Sequence, residues 1–65
     1  MITQDDVQQF LDLGGNAQTQ LGAPPECNNS FLIFGWVQSI KDAQAKQHAI
    51  DLIKAYILAN GGPVN

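Results

Sequence analysis

The chain contains no arginine, and its three lysines stand against six acidic residues, which gives a net charge of −3. Nucleic-acid binding relies on clustered Lys and Arg at the phosphates, and reading of bases most often uses the arginine fork. Three scattered lysines on an acidic chain do not form the basic patch that nucleic-acid binding requires. The same charge balance disfavours binding to an anionic membrane surface. We therefore expect neither nucleic acid nor a membrane as a partner.

Cysteine and histidine are nearly absent, with Cys27 and His48 as the single examples of each. One cysteine allows no internal disulfide and fits a reducing compartment. A metal site needs several ligands at recognised spacings, and the adjacent carboxylates Asp5 and Asp6 do not face the same way on a helix. We expect no metal and no cofactor.

Cys27 and His48 could in principle form a nucleophile and base, with Asp42 or Asp51 orienting the imidazole. Only composition favours this pair. Cys27 is equally typical of a small residue at a helix entrance, and His48 is typical of a boundary residue beside an apolar stripe. The sequence therefore predicts a protein that is not an enzyme.

Long hydrophobic runs are also missing. The longest apolar run covers residues 31–37, far short of the roughly 20 residues that cross a bilayer. Residues 1–6 lack the basic and apolar regions of a secretory signal. We expect a cytoplasmic protein.

What the chain does contain is enough apolar material to fold. It has 65 residues with 45% hydrophobic and only 14% charged content, which is too apolar for a disordered tail. A chain of this length forms one domain with a thin core.

The first segment carries the signals of a helix start. Thr3 is placed as the N-cap, with Asp6 three residues later in the position of a capping box. Ile2 and Val7 are spaced as a hydrophobic staple across that cap. These signals predict a helix over residues 4–13.

The adjacent glycines Gly14 and Gly15 predict the end of this helix, because two glycines in a helix interior cost about 2 kcal/mol relative to alanine. The apolar face does continue beyond them. The alternative is therefore one helix that extends to about residue 20 and uses the glycines for close packing.

Two glycines after an amphipathic segment also resemble the double-glycine leaders of exported bacteriocin precursors. The resemblance covers residues 1–15 and implies cleavage after Gly15. Such leaders place apolar side chains four and seven positions before the cut, where this chain has Asp12 and Gln9, with its apolar side chains displaced by one position.

Residues 22–30 are dense in turn formers and are predicted to be a loop. A helix over residues 31–40 follows, started either by Pro25 or by a cap at Asn29 or Ser30. The competing interpretation is a strand, because residues 31–37 are rich in aromatic and β-branched side chains. A strand would have to pair between subunits, since the chain offers no second candidate.

The last segment gives the clearest helical pattern. Asp42 is placed as its N-cap, residues of high helix propensity follow, and Asn60-Gly61-Gly62-Pro63 reads as its end. The sequence predicts a helix over residues 43–60. Its last two turns are apolar over an unusually wide face.

Together these elements predict an all-α fold, a two- or three-helix hairpin or bundle completed by self-association. Without a disulfide or metal, so small a chain gains only about 3 to 5 kcal/mol from its own core, so we expect a homodimer or higher oligomer. The alternative is a tight monomeric three-helix bundle. The residues predicted at the subunit interface are apolar side chains of the last two helices: Phe31, Phe34, Val37, Ile53, Tyr56 and Ile57.

The function predicted from these features is binding to another protein, as an inhibitor, adaptor or assembly factor of the size that compact bacterial or phage genes encode. The partners expected are a second copy and an unidentified protein. The alternative is a homo-oligomer that binds a small molecule or nucleotide in pockets between subunits, lined by Trp36, His48 and Tyr56.

Overall fold

The computed structural model describes residues 1–62, and this part of the chain contains four α-helices and no β-strand. The helices are α1 (Gln4–Asp12), α2 (Ala17–Leu21), α3 (Ser30–Ser39) and α4 (Ala43–Ala59). The prediction of an all-α fold is confirmed, but the prediction of two or three helices is wrong. An additional helix, α2, forms between the first glycine pair and the long loop.

The start of α1 has the predicted cap. The Thr3 hydroxyl oxygen accepts a hydrogen bond from the Asp6 backbone N–H at 3.2 Å, and the Thr3 N–H donates to the Asp6 carboxylate at 2.8 Å. This reciprocal pair is a capping box. Ile2 and Val7 are both buried beside it, as the staple requires.

The end of α1 shows why the helix does not continue to residue 20. Gly14 has a φ of 98°, and its N–H donates to the Leu11 carbonyl at 3.0 Å. The Gly15 N–H donates to the Phe10 carbonyl at 2.8 Å. This pair of bonds is a Schellman motif, and its left-handed residue is strongly disfavoured for any side chain except glycine.

The short helix α2 is capped at both ends. The Asn16 side chain accepts a backbone hydrogen bond from its first turn, and Gly22 ends it with a φ of 75°. The Gln18 side-chain amide then donates to the Pro24 carbonyl at 3.2 Å and to the Cys27 carbonyl at 2.7 Å. The partly buried side-chain amide of Gln18 therefore holds the loop that leads into α3.

Residues 30–39 form a helix, which decides against the strand interpretation. The Asn29 side chain caps α3 by accepting from the Leu32 N–H at 2.9 Å. Ser30, Ile33 and Val37 are the buried side chains of α3. They lie three and four residues apart and so share one side of the helix.

The helix α4 begins after Asp42, whose carboxylate accepts from the N–H groups of Gln44 and Ala45. It ends in a second Schellman motif. Gly61 has a φ of 84°, and the Gly62 N–H donates to the Ile57 carbonyl at 2.8 Å. Pro63, which sequence reasoning included in this stop, lies outside the described residues.

The core lies between α1, α3 and α4 and is built from their inward-facing apolar side chains. Its largest fully buried members are Phe10, Ile33, Ile53, Ile57, Val7 and Val37. None of the helices in residues 1–62 is long and apolar enough to cross a membrane.

Candidate functional site

The outer side of α3 carries large apolar side chains in water. Phe31 is 68% exposed and Leu32 is 41% exposed. Half-buried Phe34 and Trp36 border them and also pack against the core. We call this surface the α3 face; its residues are Phe31, Leu32, Phe34, Gly35, Trp36 and Ser39.

The α3 face arises because α3 is apolar on nearly every side. Ile33 and Val37 point into the core, and a helix turns by about 100° per residue, so Phe31 and Gly35 point away from it. A helix with no polar side must leave some apolar residues outside unless a second layer covers them. In residues 1–62 no further element covers this side of α3, since Phe31 and Leu32 stay exposed.

The α3 face is also uncharged. No Asp, Glu, Lys or Arg lies between Ser30 and Ile40, and Glu26 and Lys41 are the nearest charges along the chain. A ligand that is recognised by charge would therefore find no counter-charge on α3 itself. Adjacent exposed apolar side chains on an uncharged helix can be covered together by one partner, unlike single scattered apolar residues.

Three of the residues predicted at a subunit interface belong to the core of a single chain. Val37, Ile53 and Ile57 have no exposed surface in the single chain. The reason is that α3 and α4 are so widely apolar that the sequence does not mark which side faces inward. Phe31 is exposed and Phe34 is half-buried, and these two lie on the α3 face.

Tyr56, predicted both at an interface and in a ligand pocket, has a structural role. Its hydroxyl donates to the Leu13 carbonyl at 2.9 Å. Its ring meets the Phe10 ring edge-on, with centroids 5.2 Å apart. Both contacts tie α4 to the end of α1, because the hydrogen bond occupies a carbonyl that α1 leaves free.

The other two residues of the predicted ligand pocket differ in their surroundings. His48 is exposed on α4, and Trp36 is half-buried at the edge of the α3 face. The described part of the chain has no cavity.

Cys27 and His48 differ in their exposure. The Cys27 thiol is buried before α3, whereas His48 lies on the exposed side of α4, and no hydrogen bond joins them within residues 1–62. No group of three or more His, Cys, Asp or Glu residues there could hold a metal ion.

A second exposed leucine provides a useful contrast. Leu58 on α4 is 64% exposed, close to the value for Phe31. Its neighbours one turn earlier are Lys54 and the small Ala55, so it stands alone and not among large apolar side chains. Single exposed apolar residues of this kind are ordinary on protein surfaces.

Sequence reasoning missed Gly35, which lies in the centre of the α3 face. The available signal was an isolated glycine inside a helical segment, which often has a packing reason. A Cβ placed on Gly35 would meet no atom within 4 Å, so the position is open to water.

Comparison of the chain with models of protein families, with curated proteins and with solved structures finds no match. Its function is therefore inferred from the α3 face and the surrounding geometry.

Proposed function

We propose that this protein is a small acidic binding protein that acts by protein–protein contact through the α3 face. In this role it would serve as an inhibitor, adaptor or assembly factor. The observation that supports the proposal is the exposure of Phe31 at 68%, beside Leu32 and on an uncharged helix. Aromatic residues are enriched among the anchors of protein interfaces.

The α3 face offers enough apolar area to anchor a contact. A whole aromatic side chain presents about 200 Å², so the exposed 68% of Phe31 amounts to about 140 Å². Covering that area would contribute about 3 kcal/mol at about 25 cal/mol per Å². Association itself costs at least about 4 kcal/mol, so a partner must cover Leu32 and the edges of Phe34 and Trp36 as well.

The α3 face is also held ready for binding. Asn29 caps the helix, and Ile33 and Val37 fix its inner side in the core. A helix that is already ordered loses little backbone freedom when a partner covers it, which favours affinity. The side chains Phe31 and Leu32 remain to be ordered on binding.

The proposal is tested by photo-crosslinking in cells that produce the protein. Phe31 is replaced by photoreactive p-benzoylphenylalanine, and Leu58 is replaced in the same way as the matched control. We expect protein adducts from position 31 that are absent or weak from position 58. Equal adducts from both positions, or none from position 31, would remove the α3 face as the binding surface.

Fluorescence of Trp36, the single tryptophan, tests the small-molecule alternative. We expect no saturable change across a panel of nucleotides and metabolites. Saturable quenching by one of them would favour a ligand site beside Trp36 and would count against a purely protein-binding role.

A further inference from the structure

We infer that the α3 face docks on the α3 face of a second copy of this chain. The two helices would run antiparallel about a two-fold axis, with Phe31 of each copy seated over Gly35 of the other. This inference rests on the proposed function, because it names a second copy as an occupant of the same surface, where that copy would compete with any other protein partner.

Nothing within the single chain requires a glycine at position 35. Three of the six glycines have a positive φ, and two more are in such close contact that a Cβ would lie about 2.5 Å from a neighbouring side chain. These five are Gly14, Gly22, Gly61, Gly15 and Gly62. Gly35 has neither constraint, yet a glycine in a helix interior is disfavoured relative to alanine. Close approach of another backbone or ring is the remaining physical use for it.

Phe31 and Gly35 form a projection and a hollow on one line of the helix. They are four residues apart, so they occupy neighbouring turns on the same side. Long side chains on a helix lean toward its N-terminus, so Phe31 leans away from Gly35. On the other side of Gly35, Ser39 is small and its hydroxyl donates to the Trp36 carbonyl at 2.7 Å. The hollow at Gly35 is therefore left open.

This arrangement complements itself. A two-fold interface uses the same patch on both subunits, so that residue i contacts j and j contacts i. An axis at the level of Ile33 places Phe31 opposite Gly35 in both directions. The same axis places the Leu32 side chains of the two copies together on one flank of the contact and their Phe34 side chains on the other flank, which brings apolar side chains together.

The charge distribution favours this occupant over a charged partner. Each chain carries −3, but residues 30–40 carry no charge. Two α3 faces can therefore meet without placing like charges in contact. The face provides no carboxylate or ammonium group that would select a basic or acidic partner.

The area involved sets the strength of the contact. Phe31 and Leu32 together expose on the order of 200 Å² of apolar surface. A stable dimer buries about 800 Å² on each partner. The inferred dimer is therefore weak and reversible, and it forms as the protein concentration rises.

The test is the mass of the full chain in solution, measured by sedimentation equilibrium from low micromolar to about 1 mM protein. We expect the mass to rise with concentration from 7.0 kDa toward twice that value. Phe31→Ser should weaken dimerisation at least about tenfold. Leu58→Ser, with a leucine of similar exposure off the α3 face, should leave it unchanged.

The variant Gly35→Ala tests whether Gly35 serves dimerisation or only the fold of the single chain. Because its Cβ has open space in the single chain, alanine should raise the folding equilibrium constant about fivefold. The same methyl group would fill the hollow for Phe31 and should weaken dimerisation at least about tenfold. Stability and association are thus expected to change in opposite directions.

A mass of 7.0 kDa at every concentration would overturn the inference. So would a dimer that neither Phe31→Ser nor Gly35→Ala weakens, because its contact would lie elsewhere. If the chain stays monomeric while position 31 still crosslinks specifically to a different protein, only the second copy is excluded. Failure of both experiments would remove the proposed function as well.

Discussion

Two regions of the molecule contain glycines and aromatic rings: the junction where α1 and α4 end, and the outer side of α3. In the junction these residues are packed together, whereas on the outer side of α3 they are exposed to water. We call the first region the glycine junction; its residues are Phe10, Gly14, Gly15, Tyr56 and Gly62. There the Phe10 ring is fully buried, and Gly15 lies so near it that a Cβ would be 2.5 Å from the ring. On the α3 face, Phe31 is in water and Gly35 has no neighbour.

The difference shows that the role of a glycine depends on what surrounds it. In the glycine junction the positive φ of Gly14 disfavours a side chain there, and close neighbours leave no room for a Cβ at Gly15 and Gly62. On the α3 face neither requirement exists within one chain. The first region therefore stabilises the fold, and the second is available for contact with another molecule. The same substitution made in each of the two regions should therefore change the stability of the protein by different amounts or in opposite directions.

The largest expected effect is from Phe10→Ala in the glycine junction. Removing a fully buried ring costs about 3 to 5 kcal/mol, which is comparable to the whole stability of so small a domain. We expect the variant to be largely unfolded by circular dichroism at 25 °C. Phe31→Ala is the matched control and should melt cooperatively; a stable Phe10→Ala protein would show that the core does not depend on this ring.

Gly15→Ala should have the next largest effect. The new Cβ would lie 2.5 to 2.7 Å from three atoms of the Phe10 ring, and such overpacking costs about 1 to 3 kcal/mol. Urea denaturation followed by circular dichroism measures it. Gly35→Ala is the control, since it adds the same methyl group in open space. An equal change in both variants would contradict the contrast between the two regions.

Tyr56→Phe is expected to lower stability by about 1 kcal/mol. The variant keeps the edge-on contact with Phe10 but loses the hydrogen bond from the hydroxyl to the Leu13 carbonyl. The midpoint of urea unfolding is the measurement. An unchanged midpoint would mean that water replaces the hydroxyl at that carbonyl without loss.

The smallest effect on stability is expected from Phe31→Ser. Substitutions at exposed positions away from caps and cores change stability by less than about 0.5 kcal/mol. Thermal unfolding at low protein concentration should therefore resemble that of the natural chain. A large loss of stability would show that Phe31 is part of the core, and the α3 face would no longer be a free surface.

Local signals in the sequence were sufficient for some elements. The spacing of Thr3 and Asp6 predicted the capping box, which both hydrogen bonds confirm. Caps depend on residues three or four positions apart, so a short stretch of sequence contains all the information they need. The glycine pair after α1 was likewise predicted as a break on the basis of backbone preference.

Other features could not be read from the sequence in the same way. The five residues of α2 are too few to show a periodic pattern, although Asn16 and Gly22 are the residues that cap it. In α3 almost every position is apolar, so nothing marked Val37 as inward and Phe31 as outward. The position of α1 and α4 around α3 decides that difference, and it depends on contacts between residues distant in the sequence.

The hydrogen bond between Tyr56 and Leu13 joins residues 43 positions apart, and this separation has a consequence for folding kinetics. The helices α3 and α4 are linked by the short connection 40–42 and can meet after closing a small loop, whereas α1 must close a long one. We therefore expect α1 to dock last in folding and to detach first in unfolding. Substitutions in the glycine junction should then accelerate unfolding more than they slow folding.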